Sequence, residues 1–410
     1  MTQCHILLAN VFFAPFTYGG ATIVAEEVAK ALLRRTSGDI RYKVTAVSLC
    51  CRHELADYTI IKSERGGIRN FVINVPPRRS YAKLYDNPDV TRLIATLMDD
   101  LQPDLVHAHC LQDMGAGILQ AAKDRDIPSI LSVHDFWWLC ERQFMIRPDQ
   151  TYCGSDPVHI DRCRSCVTDF AAAKARSEYL NQMARLPSRI TFPSRFAHDL
   201  SVSSGFAKDR GVIWENGVMA PREGFATRRV ARRSRDPRPT FGFVGGPSPI
   251  KGWPQIRAAF KSLKRQDFRV LVVDGSADES WWIDHAFQDL PGEWEVYPRF
   301  DQAEMDTFYS EIDVLLFMSQ WKETFGLTVR EALARAIPVI QTDSGGSTEY
   351  SGVVGENLIP IGAPTRVLAD RLNAAIDQHP HDSMPLRVTS YDMQAAAFDQ
   401  IVRDVRAEVS

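Results

Sequence analysis

Two glutamates eight positions apart, Glu323 and Glu331, are the residues in this chain whose type and spacing best suit chemistry. They lie in Ser319-Gln320-Trp321-Lys322-Glu323-Thr324-Phe325-Gly326-Leu327-Thr328-Val329-Arg330-Glu331-Ala332-Leu333-Ala334. The apolar run before it, 313–318, reads as a buried strand, and the stretch itself opens a helix. Glu323 then sits in the loop and Glu331 one to two turns inside the helix. The amides near Phe325, Gly326 and Leu327 are the unpaired donors of a helix start, suited to a diphosphate. Gly326 lets the backbone come close because it has no side chain. Acidic residues are favoured near a helix start whatever the function. The spacing therefore gains its weight from the strand before it, the Phe-Gly-Leu inside it and Pro338-Val339-Ile340 after it.

A second loop can supply positive charge. Gly245-Gly246-Pro247-Ser248-Pro249-Ile250-Lys251-Gly252 follows an apolar run, and an ammonium at Lys251 could neutralise a departing pyrophosphate; Ser248 or the loop amides could bind phosphate beside it. Gly19-Gly20 precedes a helix-like stretch, and Asp343-Ser344-Gly345-Gly346-Ser347-Thr348-Glu349 is another glycine-rich turn. His134 stands at a strand end in Val133-His134-Asp135, where an imidazole could orient a hydroxyl or hold a developing charge. His107 and His109 alternate on one strand; one should face the core, and His109 is the better rim candidate.

The stretch 313–349 resembles the E-x7-E region of glycosyltransferase family 4, retaining enzymes with the GT-B fold, and the resemblance extends over most of the chain. It implies that Glu323 holds hydroxyls of a donor sugar and Glu331 the ribose hydroxyls. It also implies that Gly19 and Gly20 let the backbone approach the donor diphosphate and acceptor, and that His134 contacts the donor sugar or reacting centre. Tyr297 and Arg299 fall where the family contacts the nucleotide base. The expected donor-binding set is Gly19, Gly20, Gly245, Ser248, Lys251, Tyr297, Arg299, Glu323, Phe325, Gly326, Leu327 and Glu331, with His134, Glu323 and Lys251 as catalytic residues. The family usually has an arginine just after the first glycine of the 245–252 loop; here that place reads Gly246-Pro247-Ser248. The activity implied is transfer of a hexosyl or other sugar, with retention, from a nucleotide diphosphate sugar to a hydroxyl of a glycan or lipid-linked acceptor, in polysaccharide biosynthesis. A donor phosphate oxygen would take the acceptor proton, so no carboxylate pair need flank the bond as in glycoside hydrolysis, and no catalytic metal is expected.

Cys140, Cys153, Cys163 and Cys166 fall within 27 residues. Cys163-Arg164-Ser165-Cys166 has a spacing that lets two thiolates grip one ion, and the four together suit structural zinc in preference to an iron–sulfur cluster. Four uncoordinated thiols, or disulfides in an oxidising compartment, are the other readings. Trp137, Trp138 and Arg142 beside them suit either acceptor surface or core. Cys4, Cys50, Cys51 and Cys110 read as buried apolar filler.

The elements that must position these residues repeat. Short apolar runs at 5–9, 44–49, 68–75, 103–109 and 129–133 alternate with helical patterns such as 21–33 and 115–123. After an aromatic- and cysteine-rich insertion at about 136–170 the rhythm resumes at 189–194 and 211–218. A second series runs through 240–246, 269–273, 294–297, 313–318 and 337–342. The fold class is α/β: two Rossmann-like domains facing a central cleft, with parallel sheets and ligands at the carboxyl ends of the strands. The expected domains are 1–215 on the acceptor side, 216–385 binding the nucleotide sugar, and a helix in 386–410 returning to the first. Between the two series, 221–239 reads as a charged linker, and Arg228-Arg229 and Arg232-Arg233 within it as solvated surface, with a peripheral membrane or partner contact as the alternative.

With 410 residues the chain is long enough for two cores, and its net charge of −3 argues against nucleic-acid binding. No run reaches the roughly 20 apolar residues of a membrane span, and 4–13 reads as a first strand and not as a secretory signal. The expected location is the cytoplasm, at most associated with the inner membrane face. A nicotinamide oxidoreductase would need a G-x-G-x-x-G after the first strand with an acid about 20 residues on, which the sequence lacks. A non-catalytic or partner-dependent sugar-nucleotide-binding protein, suggested by the missing arginine, and a nucleotide-sugar epimerase are the remaining alternatives.

Overall fold

The computed structural model describes residues 2–36, 38–276, 278–378 and 384–409. The chain divides into two compact units: 1–145, 154–217 and 389–410 form the first, 146–153 and 218–388 the second.

In the first unit, the strands are β1 (Thr2–Ala9), β2 (Ile40–Cys50), β3 (Ile60–Arg65), β4 (Ile68–Asn74), β5 (Leu105–Ala108), β6 (Ser129–Ser132), β7 (Arg189–Phe192) and β8 (Gly211–Ile213). They form one sheet in the order β3-β4-β2-β1-β5-β6-β7-β8. All neighbours run parallel except β3 and β4, an antiparallel pair turned at Gly66-Gly67. The helices are α1 (Gly20–Arg34), α2 (Pro88–Leu101), α3 (Gly117–Lys123), α4 (Phe170–Met183) and α5 (Arg195–Ser203). Local chemistry sets their starts: Asn87 accepts from Val90 N before Pro88, Asp169 from Ala172 N and Ser194 from Ala197 N. Alternate strand residues feed opposite faces. Leu7, Ala9, Val47 and Leu49 pack with Val90, Ile94 and Ile118, while Leu8, Val44 and Ala46 pack with Ala25 and Ala29 of α1.

The last helix, Tyr391–Val409, belongs to the first unit. Its Gln394 accepts from Gly217 N at 2.6 Å through its side chain and from Trp214 Nε1 at 3.0 Å through its backbone. Asp399 accepts a 2.5 Å bond from the Tyr42 hydroxyl. Gly217 has no room to be anything else, since a Cβ there would lie 2.6 Å from Tyr391 Cα.

The second unit begins with α6 (Phe225–Arg235) and continues through β9 (Thr240–Phe243), α7 (Trp253–Lys261), β10 (Arg269–Val273), β11 (Glu293–Tyr297), α8 (Met305–Glu311), β12 (Val314–Phe317), α9 (Leu327–Ala334), β13 (Val339–Gln341) and α10 (Thr365–Asp377). Its parallel sheet has the order β11-β10-β9-β12-β13. Val270 and Val272 face α7 and α10, while Leu271 and Val273 face α8 and Phe225.

Helix α6 corrects the expected linker and the solvated reading of two of its arginines, while Arg228 is exposed as expected. Arg229 and Arg232 are buried. Arg229 donates to Ile312 O at 3.0 Å, and Arg232 to Glu311 O at 2.7 Å and to Asp313 at 2.5 Å. These are the carbonyls left without partners where α8 ends, and a guanidinium fork suits them. Trp137 and Trp138 are likewise buried core, 6% and 5% exposed, so they offer no acceptor surface; Arg142 is exposed. Cys4 is buried, but Cys50 and Cys110 are only partly so and Cys51 is exposed, which corrects its reading as filler. Among the described residues no helix is long and apolar enough to cross a membrane.

Candidate functional site

In an open parallel sheet, ligands gather where the strand order reverses, outside the carboxyl ends. In the second unit that point lies between β9 and β12. The loops leaving these two strands carry Gly245–Lys251 and Ser319–Gly326, so the topology brings the expected lysine to the expected glutamate. Lys251 Nζ donates to Glu323 Oε1 at 2.8 Å, and Ser319 Oγ donates to the same oxygen at 2.7 Å. The ammonium also lies 5.5 Å from the Trp321 ring centroid. Glu323 is buried. Gly252, with φ +80°, makes the approach possible, because a Cβ there would stand 2.1 Å from Met318 O.

Glu323 is also held by its backbone. Its N–H donates to Ser344 O and its carbonyl accepts from Gly346 N, both at 2.9 Å. This short parallel bridge ties the glutamate loop to the 343–349 turn. Buried Arg330 clasps the same turn. It donates to Phe325 O, to Ser347 O at 2.9 Å, to Gly346 O at 2.8 Å and to Glu349 O at 3.0 Å. Its guanidinium lies 4.2 Å from the Phe325 ring centroid.

Gly326 is the cap of α9, left-handed at φ +76°, with Ser347 Cβ 2.7 Å from where its own Cβ would be. No side chain caps this helix start, so the first-turn amides from Leu327 onward are donors without a helical partner. Phe325 is buried. Glu331, the fifth residue of α9, is buried and accepts a 2.8 Å bond from the Tyr309 hydroxyl. Burial raises its carboxyl above the usual range; the Tyr309 hydroxyl, Arg335 and Gln302 work in the opposite direction. Burial and the nearby carboxylate push the Tyr309 hydroxyl well up, so it stays a donor.

Other expected residues have looser settings. Ser248 opens the turn Pro249–Lys251, its carbonyl accepting from Lys251 N at 3.1 Å. Gly245 lies half-buried against the Phe243 ring. Trp281 covers Gly246 and Gly275: a Cβ at either would be 2.6 or 2.7 Å from the indole. Tyr297 ends β11 half-buried, its ring 5.2 Å from Phe308. Burial raises its hydroxyl pKa. Arg299 is exposed.

In the first unit the strand order reverses between β1 and β5. Val11 N donates to Cys110 O, and buried Asn10 accepts from Cys110 N, so the two outgoing loops are stitched together. Gly19 caps α1 at φ +80° with nothing within 4 Å of a Cβ, and Gly20 is the first helical residue. His134 follows β6 and is half-buried; its Nε2 lies 2.8 Å from His109 Nδ1. His107 and His109 are both buried, so neither reaches the rim by itself, which corrects the alternation reading. Burial lowers the His134 pKa to about 4 and that of His107 to about 3.

Cys140, Cys163 and Cys166 belong to the first unit and Cys153 to the second. Among the described residues no group of three or more His, Cys, Asp or Glu is arranged to hold a metal ion.

Ser319, Tyr309 and Arg330 escaped sequence reasoning. Ser319 and Arg330 lie inside the glutamate stretch but look like ordinary loop and helix residues, and Tyr309 reaches Glu331 from another helix.

The model of Glycosyltransferase Family 4 matches residues 18–222, and that of Glycosyl transferases group 1 matches 225–382. An uncharacterized 42.6 kDa protein in the cps region of Klebsiella pneumoniae is 21% identical over 370 residues, covering 85% of this chain and 88% of that one. A GDP-mannose-dependent alpha-mannosyltransferase of Mycobacterium tuberculosis (strain CDC 1551 / Oshkosh) is 27% identical over 177 residues, 42% of this chain and 44% of the other. Among solved structures, sucrose-phosphate synthase from Thermosynechococcus elongatus superposes with a TM-score of 0.70 at 16% identity, covering 99% of this chain and 100% of that one. Anabaena HepE in complex with UDP and glucose does so at 0.62 and 16%, covering 98% and 100%.

Proposed function

The chain belongs to Glycosyltransferase Family 4 and has the GT-B fold, and from that premise we propose that it transfers a hexosyl or other sugar, with retention, from a nucleotide diphosphate sugar to a hydroxyl of a glycan or lipid-linked acceptor, in the cytoplasm. The observation that carries this reading is the Lys251–Glu323 pair beside the uncapped start of α9. In the proposed complex the diphosphate lies against the α9 amides, where a helix start favours negative charge. Lys251 turns from Glu323 toward the leaving phosphate, and hydroxyls of the donor sugar replace it on the glutamate. Glu331 accepts from the ribose hydroxyls, with Tyr309 holding the carboxylate in place. As the sugar–oxygen bond breaks, charge grows on the departing diphosphate, and preorganised amides and ammonium stabilise it most at that moment. Among similar proteins, one is described as GDP-mannose-dependent and another is solved with UDP and glucose.

The test is incubation of the purified chain with UDP-, GDP-, ADP- and dTDP-sugars, with and without glycan acceptors, and NMR of the product's anomeric configuration. Release of nucleoside diphosphate, and Glu323→Ala and Glu331→Ala each lowering it about 100-fold in a folded chain, are the expected results. Full turnover by both variants would refute the assignment. One departure favours a second reading, a donor-binding protein without transfer. Pro247-Ser248 stands where the family has an arginine, and Trp281 covers the adjoining Gly246. Donor binding with no diphosphate release under any acceptor would establish it.

A further inference from the structure

Three imidazoles lie in a row in the first unit. In β5, His107 Nε2 is 2.8 Å from Ser132 Oγ, which is 2.8 Å from Thr191 Oγ1, and its ring stacks on Phe398 of the last helix at 4.4 Å. The His109 ring centroid follows at 4.0 Å from that of His107, and the planes of His109 and His134 lie within 11° of each other. The 2.8 Å contact between His109 Nδ1 and His134 Nε2 joins two rings that burial keeps neutral.

A hydrogen bond between two neutral imidazoles contains one proton, and each ring has only one N–H to place. Two arrangements exist. If His134 donates from Nε2, His109 must carry its own proton on Nε2. If His109 donates from Nδ1, His134 must carry its proton on Nδ1. The surroundings of His109 distinguish them. It is 1% exposed, and its Nε2 has no hydrogen-bond partner among the described residues. The first arrangement would bury an N–H with no acceptor, which leaves its desolvation cost unrecovered. The second leaves there only a bare ring nitrogen.

We propose that His109 is a positioning residue: it donates its Nδ1 proton to His134 Nε2 and so fixes the His134 proton on Nδ1, making His134 a hydrogen-bond donor to a sugar or phosphate oxygen and not a proton acceptor. The role of His134 rests on the function proposed above; the tautomer does not. The ring nitrogens of a histidine are distinct, and the bond made by one decides what the other offers. A donor suits a centre where negative charge grows on oxygen, and it leaves the acceptor proton to another base.

The test is the 15N shifts of the histidine rings in the full chain, with the His134 signals assigned by their loss in His134→Gln. The expected spectrum has His134 protonated at Nδ1 from pH 8 down to pH 6. His109→Asn, whose amide N–H can replace Nδ1, keeps that tautomer, and His109→Leu loses it. In a chain that turns over a sugar nucleotide, His109→Leu lowers kcat about 100-fold with little change in KM, and His109→Asn restores most of it. A wild-type His134 protonated at Nε2, or an unchanged tautomer in His109→Leu, overturns the proposal. Failure of every sugar nucleotide to react would instead refute the proposed function and leave the ring spectra to decide the tautomer.

Discussion

Arg330→Met is the most informative single perturbation of the second unit, because one buried guanidinium holds both the glutamate loop and the turn it pairs with. Methionine keeps much of the apolar stem but removes donors from four carbonyls, those of Phe325, Gly346, Ser347 and Glu349. Charge-assisted bonds contribute roughly 1.5–3 kcal/mol each, so four would total about 6–12 kcal/mol. Removing the buried charge also removes its desolvation penalty, several kcal/mol, and the contact with the Phe325 face contributes about 1 kcal/mol. The net expectation is a loss of about 3–5 kcal/mol, in line with breaking other buried charged networks. Urea unfolding monitored by tryptophan fluorescence measures it, and titration with the active sugar nucleotide reports on the site. Donor affinity should fall at least about tenfold, since 1.4 kcal/mol of lost preorganisation suffices. Arg330→Lys should recover only part, because an ammonium cannot span four carbonyls as a planar fork does. A change below about 1 kcal/mol with donor affinity intact would refute the clasp.

The glycines give a paired comparison. Gly326→Ala combines left-handed strain of about 1–2 kcal/mol with overpacking against Ser347 of about 1–3 kcal/mol, whereas Gly19→Ala meets no neighbour and should cost only its backbone strain, about 1–3 kcal/mol; urea midpoints compare the two. Tyr309→Phe removes the hydroxyl from a buried carboxylate and should cost about 1–3 kcal/mol, raise the donor KM and spare the fold, as circular dichroism will show. Acid should destabilise the first unit. His107 and His109 have native pKa values held below the ordinary 6.5 by burial, so below that pH the unfolded chain binds protons that the native one refuses. Each group then removes about 1.4 kcal/mol per pH unit between the ordinary value and its own native pKa, with buried Glu26, whose pKa is raised, offsetting part. Stability unchanged over that range, by urea unfolding, would contradict neutral buried rings.

Much of the scaffold could be read from the chain because parallel strands buried on both faces are apolar runs whatever surrounds them. β10 was marked to the residue by Arg269–Val273, and the strand before α9 by the run ending at Met318. The loops at the carboxyl ends then placed Lys251 and Glu323 by topology alone. What stayed hidden depends on partners far along the chain. Arg229 and Arg232 look like surface until the end of α8 offers them carbonyls, about 80 positions away. β3 escaped notice because it is a half-exposed edge with little apolar pattern. Trp137 and Trp138 sit in an irregular insertion, yet Arg176 lies on the Trp137 ring and donates to its carbonyl at 2.5 Å, and Trp138 packs against Phe206.

The two reversal points of the sheets use opposite electrostatics, and that contrast bears on the missing arginine. In the first unit the groups at the strand ends are imidazoles kept neutral by burial, able to donate but adding no charge. In the second, the ammonium of Lys251 is already balanced by Glu323, so the donor-free pair presents little net charge to an approaching diphosphate. In the proposed complex attraction comes largely from the α9 amides, whose field is short-ranged and fixed, and the lysine would become available as sugar hydroxyls take its place on Glu323. Under that proposal, binding of the sugar and neutralisation of the phosphate would be coupled. A free nucleoside diphosphate, lacking the sugar, cannot displace Lys251 from the glutamate in this way and should be held less well than the intact donor. With a second permanent cation at Pro247 that discrimination would weaken.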